Sequence, residues 1–452
     1  MSNAGIALQE GTGRARHDPQ RVAWGVLLLA FAMFCLTCVA TGVGVYYFLF
    51  QSTSPLDMEL RVGRGSIGVN QQFVPLERDL LNGDELSTGT DGQSQATVLF
   101  FDPQQQRRLI ATVTVKGGTN LILRRALRPR FDWGNGQYSI EVQDFAGDLE
   151  VFVVRDLAGS FRMTINTQQG NLIDLGASGR YSVSVREGQT RVVNQEGKAA
   201  LIPADRSQGR DIPEGSQGTI YTESPNEVSV VPAYVNLLEN STFEDTALIE
   251  SAGGEMQVVA RIWGCRNDQV SAPRGTYRTE IVDGRTIMRF VRGENATSNG
   301  ETRCVAFLGQ SGRDVSGYDY LEMRASFSLN YQSLAACGWQ GSECPLMLQV
   351  DYVDEDGELQ TWYHGFYYLQ PQPGNPLTCS SCRQEHDRVN EKSWYTYTSG
   401  NLLALLGPDE RPQTILNVQF YASGHQYDVS IGEISLLVGQ MESAQAAAEA
   451  TG

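Results

Sequence analysis

Positive charge and histidine are both scarce in this sequence of 452 residues. The chain has 35 lysine and arginine residues against 52 aspartate and glutamate residues, which gives a formal net charge of −17. A nucleic-acid-binding surface needs clustered cations that face phosphate, so this balance excludes a nucleic-acid partner. The chain has four histidines, and the metalloprotease motif HExxH, the nucleophile motif GxSxG and the P-loop are all absent. We therefore expect no catalytic activity.

Long apolar runs are also rare, with one clear exception at residues 22–50. This run has 29 residues and contains no charged residue. It exceeds the roughly 20 residues that a helix needs to cross the hydrocarbon core of a membrane. Trp24 lies near one end and Tyr46 and Tyr47 near the other, where aromatic rings favour the lipid interface. A cleavable signal peptide has a shorter apolar core, so we predict an uncleaved transmembrane helix over 22–50.

The residues that flank this run predict its orientation. Arg14, Arg16 and Arg21 precede it, and the first basic residue after it is Arg61. By the positive-inside rule, residues 1–21 form a cytoplasmic tail and the bulk of the chain is extracytoplasmic. The sequence thus predicts a single-pass protein of the plasma membrane that contacts lipid through its anchor.

Cysteine is absent between Cys38 and Cys265. Six cysteines follow in the last part of the chain, and an even number in an exported region indicates disulfides formed in an oxidising compartment. Six cysteines allow 15 pairings. We expect pairing between cysteines that are neighbours in sequence: Cys265 with Cys304, Cys337 with Cys344, and Cys379 with Cys382. The rival interpretation is a zinc site that joins Cys379 and Cys382 to another pair.

Short strands between glycine turns dominate the exported region. Residues 56–222 contain many segments rich in β-branched and aromatic residues, with no amphipathic helix between them. Residues 223–234 are predicted as a linker, residues 235–440 as a second β-module, and residues 441–452 as a disordered tail. The predicted fold class is all-β: one N-terminal transmembrane helix, a β-roll or sandwich, and then a β-sandwich.

Two stretches of the first module resemble the FecR family. Residues 81–90 (LNGDELSTGT) and 94–102 (SQATVLFFD) are similar to the core pattern of that family, and residues 183–202 are similar to its closing hairpins. The resemblance implies an extracytoplasmic β-domain carried on a single membrane helix, which in some members takes part in sensing.

The second module resembles the galactose-binding-like jelly rolls, the fold of many carbohydrate-binding modules. Residues 236–244 (NLLENSTFE) and 429–438 are similar to the opening and closing strands of that family, and residues 394–397 (WYTY) to an internal strand. The resemblance implies a structural calcium between the two ends, with Glu244 and Glu433 as ligands, although Gly432 stands where a carboxylate is usual. The alternative is that both glutamates are solvated residues at strand ends.

The densest aromatic run covers residues 361–368 (TWYHGFYY). Alternation along a strand sends Tyr363 and Tyr367 to the face opposite Trp362 and its neighbours, so one of the two sets is exposed. Exposed tyrosines there could stack on a sugar ring or a partner surface, with Trp339 and Arg383 as neighbours. The alternative is that both sets are packed in a sandwich core.

These features predict a membrane-anchored, non-catalytic cell-surface protein that binds or senses. Its jelly roll would bind a glycan or an envelope protein. One alternative is an envelope glycan hydrolase or transferase that uses the jelly roll to bind its substrate, since paired carboxylates suffice for glycosidase chemistry. Another is a structural subunit of a membrane assembly. No cofactor is expected apart from the calcium that the second resemblance implies.

Overall fold

The computed structural model describes residues 19–131, 133, 136–157, 159–206, 208–250, 256–268, 272–293 and 295–440. About 53% of the chain is strand and 9% is helix, which confirms the all-β class with an N-terminal helix. The chain divides into two compact units. One contains the N-terminal helix together with Pro129–Gly136, and the other contains the rest of both β-regions. Most of the predicted cytoplasmic tail and the predicted tail at 441–452 lie outside the described residues.

The N-terminal helix α1 extends over Pro19–Phe50. Its apolar part, Val22–Phe50, is long and apolar enough to cross a membrane, and none of its most apolar 18-residue window is buried in protein. Because no protein core covers these side chains, the helix has the composition and exposure that a lipid environment would satisfy.

Among the residues that the structure describes, the first β-region has eighteen strands in chain order. They are β1 (Thr53–Pro55), β2 (Asp57–Arg64), β3 (Ile67–Val69), β4 (Gln72–Val74), β5 (Glu77–Leu80), β6 (Asp84–Thr88), β7 (Gln95–Asp102), β8 (Arg108–Lys116), β9 (Asn120–Pro129), β10 (Gln137–Val153), β11 (Ser160–Thr167), β12 (Leu172–Leu175), β13 (Gly179–Arg186), β14 (Gln189–Glu196), β15 (Ala199–Ile202), β16 (Arg210–Ile212), β17 (Ser216–Tyr221) and β18 (Ser229–Pro232).

The long strand β10 belongs to both layers of this region. Its first half pairs with β9 and β11, and its second half, from Gly147, pairs with β8 and β13. Sheet 1 has the order β4-β3-β6-β9-β10-β11-β12-β15-β16, and sheet 2 has the order β5-β2-β7-β8-β10-β13-β14-β17-β18. The strand passes between the layers at Gly147, whose φ is 112° and where a Cβ would lie 2.5 Å from the Cα of Thr119. Only glycine fits this crossing.

The segment predicted as a linker, 223–234, contributes to sheet 2. Ser229–Pro232 forms β18, which pairs antiparallel with β17, and the Ala233 amide donates to the carbonyl oxygen of Gly215 at 2.9 Å. Proline and serine suggested a free segment, but β18 is an edge strand, where proline is tolerated because one side of its backbone needs no partner.

The second β-region forms a sandwich of two sheets. Its elements are β19 (Val235–Asn236), β20 (Thr246–Glu250), β21 (Met256–Ala260), β22 (Gly264–Asn267), β23 (Thr276–Val282), β24 (Arg285–Arg292), β25 (Gly300–Phe307), β26 (Arg313–Asp314), β27 (Tyr320–Gln332), β28 (Leu346–Asp354), β29 (Leu359–Tyr367), β30 (Asp387–Arg388), β31 (Tyr395–Thr398), α2 (Leu402–Leu406), β32 (Pro412–Gly424) and β33 (Tyr427–Gly439). Sheet 3 has the order β23-β24-β33-β27-β31 with β19 beside β33, and sheet 4 has the order β22-β25-β32-β28-β29-β30 with β26 beside β32.

An apolar core fills the space between sheets 3 and 4. The aromatic ring of Phe420 lies at its centre and contacts the rings of Phe243, Trp263 and Phe290 at centroid distances of 5.0 to 5.6 Å. The same residues are almost fully buried. Because successive side chains alternate in direction, the residues between the core positions of sheet 4 must face outward.

The three predicted disulfides are all present. Cys265 pairs with Cys304, Cys337 with Cys344, and Cys379 with Cys382. The first joins the neighbouring strands β22 and β25, where its two cysteines are register partners. The other two staple short loops at one end of sheet 4.

Direct hydrogen bonds join the two β-regions. The Gln95 side chain donates to the Thr396 carbonyl oxygen at 3.0 Å and accepts from the Thr396 amide at 2.6 Å. The Asn390 amide donates to the Gly63 carbonyl oxygen at 2.8 Å, and the Asn390 side chain donates to that of Val62 at 2.9 Å. These hydrogen bonds pack the two regions into one compact unit, whereas the sequence predicts two modules joined by a linker.

Candidate ligand-binding site on the second β-region

The outer face of sheet 4 carries two rows of polar side chains that run across neighbouring strands. In one row Gln349 of β28 lies between Tyr363 of β29 and Gln419 of β32. In the next row Asp351 lies between Thr361 and Asn417. We call Gln349, Asp351, Thr361, Tyr363, Asn417 and Gln419, together with Arg303 of β25, the polar face.

Asp351 is the centre of the hydrogen-bond network on the polar face. Its carboxylate accepts from Gln349 at 2.8 Å, from Thr361 at 2.9 Å and from Gln419 at 2.9 Å. The Gln419 amide also donates to the Asn417 side chain at 2.9 Å. These bonds fix the rotamers of neighbouring side chains, which lowers the entropy that a ligand would have to remove on binding.

Arg303 extends the network towards the edge of the sheet. Its guanidinium donates to Gln419 at 3.0 Å, pairs with Glu301, and lies 5.1 Å from the ring centroid of Tyr421. Burial raises the pKa of the Glu301 carboxyl, and the charge of Arg303 opposes that rise. The Arg303 guanidinium is thus held in place by the Glu301 carboxylate, the Gln419 amide and the Tyr421 ring.

The central members of the polar face are little exposed. Gln349, Asn417 and Gln419 retain only 7 to 8% of their accessible surface. Buried polar groups must be hydrogen-bonded, and these satisfy one another. The more accessible members of the polar face are Arg303, Asp351, Thr361 and Tyr363, which are half-buried.

Two disulfide loops cover the end of sheet 4 next to the polar face. Cys337, Cys344 and Cys382 belong to a small cluster with Tyr367 and Tyr421. Trp339 projects from the Cys337–Cys344 loop and is 78% exposed. The exposed indole ring of Trp339 is thus carried on a short loop that a disulfide closes.

His386 connects the two loops. Its Nδ1 accepts from the Gly365 amide at 2.9 Å, and its Nε2 donates to the Gly341 carbonyl oxygen at 2.7 Å. Burial lowers the pKa of His386 to about 4. The ring is therefore neutral at pH 7 and serves as a structural bridge rather than as an acid or base.

The rival zinc site does not fit this geometry. His386 does lie near both cysteine pairs, with ligand atoms within 4.8 Å of one another in each group. However, a zinc ligand must be a thiolate, and all four sulfurs are engaged in disulfides.

Tyr363 and Tyr367 lie on the face of β29 that the alternation of side chains predicts. Trp362, His364 and Phe366 point into the core, while Tyr363 and Tyr367 point outward. The expectation that both outward rings are exposed is wrong for Tyr367, which is 5% exposed because the disulfide loops cover it. Tyr363 is half-buried and belongs to the polar face.

Arg383 follows Cys382 on the second disulfide loop. Its guanidinium pairs with Glu410, and its side chain is about half exposed. The residue therefore lies on the same end of the module as Trp339, but its charge is already engaged by a carboxylate.

The two glutamates proposed as calcium ligands each face an arginine of the first β-region. Glu244 pairs with Arg155 at 2.6 Å, and Glu433 lies 3.8 Å from Arg180 and accepts from Ser435 at 2.6 Å. A donor set whose carboxylates are neutralised by guanidinium groups does not fit a calcium ion.

The polar face was missed in the sequence. Its signal was present as polar residues at every second position of two otherwise apolar strands, Gln349 and Asp351 in one and Asn417 and Gln419 in the other. What the sequence could not show is that β28 and β32 are neighbours in register, which brings these four side chains together.

No protein-family model matches the chain, and no curated protein matches it in sequence. Solved structures do match. A protein of Parabacteroides distasonis described as an anti-sigma factor matches with 16% identity and a TM-score of 0.23, covering 33% of this chain. The chain spans 59% of that protein's length.

Two carbohydrate-binding modules match a larger part of the chain. The xylan-binding CBM22-1 domain of Paenibacillus barcinonensis Xyn10C has 12% identity and a TM-score of 0.26, covering 46% of this chain and 98% of the domain. A family 11 module of Clostridium thermocellum, solved with a mixed-linked tetrasaccharide, has 12% identity and a TM-score of 0.22, covering 43% of this chain and 96% of the module. At these TM-scores the similarities carry no argument for function, which has to come from the site itself.

Proposed function

We propose that this protein is a membrane-anchored, non-catalytic glycan-binding protein whose ligand lies on the polar face of sheet 4. The observation that supports this proposal most directly is the hydrogen-bond network centred on Asp351. The network presents amide, carboxylate and guanidinium groups in fixed positions. Sugar hydroxyls both donate and accept hydrogen bonds, and such mixed surfaces recognise them. Tyr363 on the polar face and Trp339 on the adjoining loop supply rings for stacking.

A membrane anchor formed by α1 is the second part of the proposal, with the N-terminus cytoplasmic. Aromatic and basic side chains gather at the C-terminal end of the helix. Phe48 lies 5.7 Å from Phe131, whose ring stacks on Trp133 at 4.8 Å, and the Arg130 guanidinium lies 5.3 Å from the Phe48 ring. Trp133 is 65% exposed. Such an aromatic and basic group is what a lipid interface favours.

Glycan binding can be tested with the full chain in lipid nanodiscs, which avoids glycoside detergents. On a broad glycan array the wild-type protein should bind a defined set of sugars, and Tyr363→Ala should lose most of that signal. Tyr331→Ala is the matched control, because Tyr331 is an exposed tyrosine on sheet 3. No binding across the array, or equal loss in both variants, would contradict the proposal.

The anchor can be tested separately by fluorescence quenching with brominated lipids. The difference in emission between wild type and Trp133→Phe should be quenched when bromine is placed near the headgroups. The difference in emission between wild type and Trp24→Phe isolates the signal of Trp24, and its quenching shows whether α1 lies in the bilayer. Absence of quenching for Trp24 would contradict the anchor, irrespective of the result on the glycan array.

A further inference from the structure

A polar cleft lies between the two β-regions, at a different place from the polar face. Its volume is about 590 Å³. One wall is the outer face of sheet 2 and the other is the outer face of sheet 3. This volume lies within the range of small-molecule sites, and it would accommodate a short oligosaccharide.

Within the described part of the chain, the charged groups along the cleft form ion pairs with two exceptions, Arg191 and Glu322, and the Glu322 carboxylate accepts a hydrogen bond from the Tyr320 hydroxyl. Glu150 pairs with Lys116 at 2.5 Å and with Arg324. The same kind of pairing joins Arg186 to Asp148 and Arg180 to Glu433. Burial would raise the pKa of Glu150, but Arg324 and Lys116 outweigh it and hold that pKa at about 2. The Glu150 carboxylate therefore stays ionised at pH 7, and the cations in these ion pairs are not available to a ligand.

Arg191 is the cation among these two exceptions. It lines the cleft from β14, where its neighbours Thr190 and Val192 point into the core. Within the described part of the chain its guanidinium has no hydrogen-bond or ion-pair partner. A half-buried arginine without a carboxylate is a site for an anion, and its planar group fits a carboxylate in particular.

Two tyrosines stand beside Arg191. The rings of Tyr234 and Tyr320 stack at 4.5 Å with an angle of 13° between their planes. Both tyrosines line the same cleft as Arg191, and the Tyr320 hydroxyl donates to the Glu322 carboxylate. Burial raises the pKa of both phenols, so both are neutral at pH 7. Hydroxyl and amide groups complete the lining: Ser182, Ser184, Gln195, Gln217, Thr398 and Ser435.

We propose that this cleft binds an acidic carbohydrate, with Arg191 pairing the carboxylate of a uronic acid. The stacked tyrosines form the apolar wall against the sugar ring, and the hydroxyl and amide groups bond its hydroxyls. This site is separate from the polar face and adds a second ligand class to the protein. Because both β-regions build it, neither region alone would contain the complete site.

Titration calorimetry on the full chain in nanodiscs tests this inference. The probe is digalacturonate, and the matched probe is its methyl ester, which removes the negative charge and keeps the sugar. Wild type should bind the acid at least tenfold more tightly than the ester, and Arg191→Gln should lose at least tenfold in affinity for the acid. Arg210→Gln is the control, because Arg210 is an exposed arginine of the same β-region on β16.

Several results would overturn the inference. They are the absence of binding at millimolar digalacturonate, equal affinity for acid and ester, or equal effects of Arg191→Gln and Arg210→Gln. Loss of digalacturonate binding in Tyr363→Ala would place the ligand on the polar face and would also overturn it. A thermal unfolding curve for Arg191→Gln that matches wild type shows that a lost affinity reflects the site rather than the fold.

Discussion

Arg285 of the second β-region makes direct contacts with the first β-region. Its guanidinium lies 4.7 Å from the Phe152 ring centroid and 4.6 Å from that of Trp394, and it donates to the Thr112 hydroxyl at 2.8 Å. Burial lowers the pKa of this arginine to about 10, so it remains charged at pH 7. A cation enclosed by two rings contributes more than one on an open surface.

We predict that Arg285→Ala lowers the free energy of unfolding by about 1–3 kcal/mol. Chemical denaturation of the full chain would measure the change. The control is Arg278→Ala on the same hairpin, whose exposed ion pair with Glu280 should contribute less than about 1 kcal/mol. Equal losses in the two variants would show that the ring contacts add nothing.

A pH effect follows from His386. Its folded-state pKa of about 4 lies below the ordinary value of 6.5. Between these values the unfolded chain binds a proton that the folded chain does not, so stability is complete above pH 6.5 and falls as the pH drops towards 4. The loss is on the order of 2–3 kcal/mol.

The measurement is the unfolding free energy at pH 7 and pH 4.5 in wild type and in His386→Gln. The difference between the two pH values should shrink in the variant, because the titrating ring is gone. An unchanged difference would assign the pH dependence to other groups.

Residue-level prediction from the sequence was partial for a physical reason. The period of two along β29 correctly separated Tyr363 and Tyr367 from Trp362, because direction alternates locally. The exposure of Tyr367 could not be predicted, since it is covered by cysteine loops that lie before and after it in the chain. Direction is a local property, whereas burial depends on distant segments.

At the scale of elements, the three disulfides differ in the length of chain that they close. The sequence separations are 39 residues for Cys265–Cys304, 7 for Cys337–Cys344 and 3 for Cys379–Cys382. In the loop-entropy model the longest loop contributes most, about 4 kcal/mol against about 2–3 kcal/mol for the 7-residue separation.

Replacing Cys265 and Cys304 together by alanine should therefore lower the unfolding free energy more than replacing Cys337 and Cys344. The second pair should instead affect binding, because its loop carries Trp339. Denaturation and array binding of both double variants would separate these effects. A reversed order of stabilities would contradict the entropic argument.

Strand positions were largely predictable, and the exceptions have identifiable causes. The segment 137–153 carries a glycine, Gly147, that is typical of a turn between two short strands, but the structure has a single bent strand there, β10. Gly147 suggested a turn because positive φ is needed there, and the same property allows a strand to cross between sheets. The composition of residues 223–234 predicts a linker, but part of the segment forms the edge strand β18, where proline is tolerated.

At the scale of the whole molecule, the two β-regions are expected to unfold as one. Contacts such as Gln95 with Thr396, and Arg64 with Asp387 at 2.5 Å, cross between them. Calorimetry of the full chain should show a single transition for the β-regions. Two resolved transitions would mean that the interface contributes little to stability.

The sequence alone suggested two modules separated by a linker. The interface between the two β-regions was not predictable, because its residues are far apart in the sequence. Gln95 on β7 and Asn390 before β31 carry no local sequence signal of a contact with each other's region. Only the assembled sheets bring Gln95 and Asn390 to opposite sides of one contact.

The central claim is that the polar face of sheet 4 binds a glycan. Its most direct test is the dissociation constant, for the full chain in nanodiscs, of the glycan that binds most strongly on the array. Gln419→Ala removes one member of the network around Asp351 and should weaken binding at least tenfold, while Gln143→Ala on β10 should leave it unchanged. Equal dissociation constants for wild type and Gln419→Ala would contradict the claim.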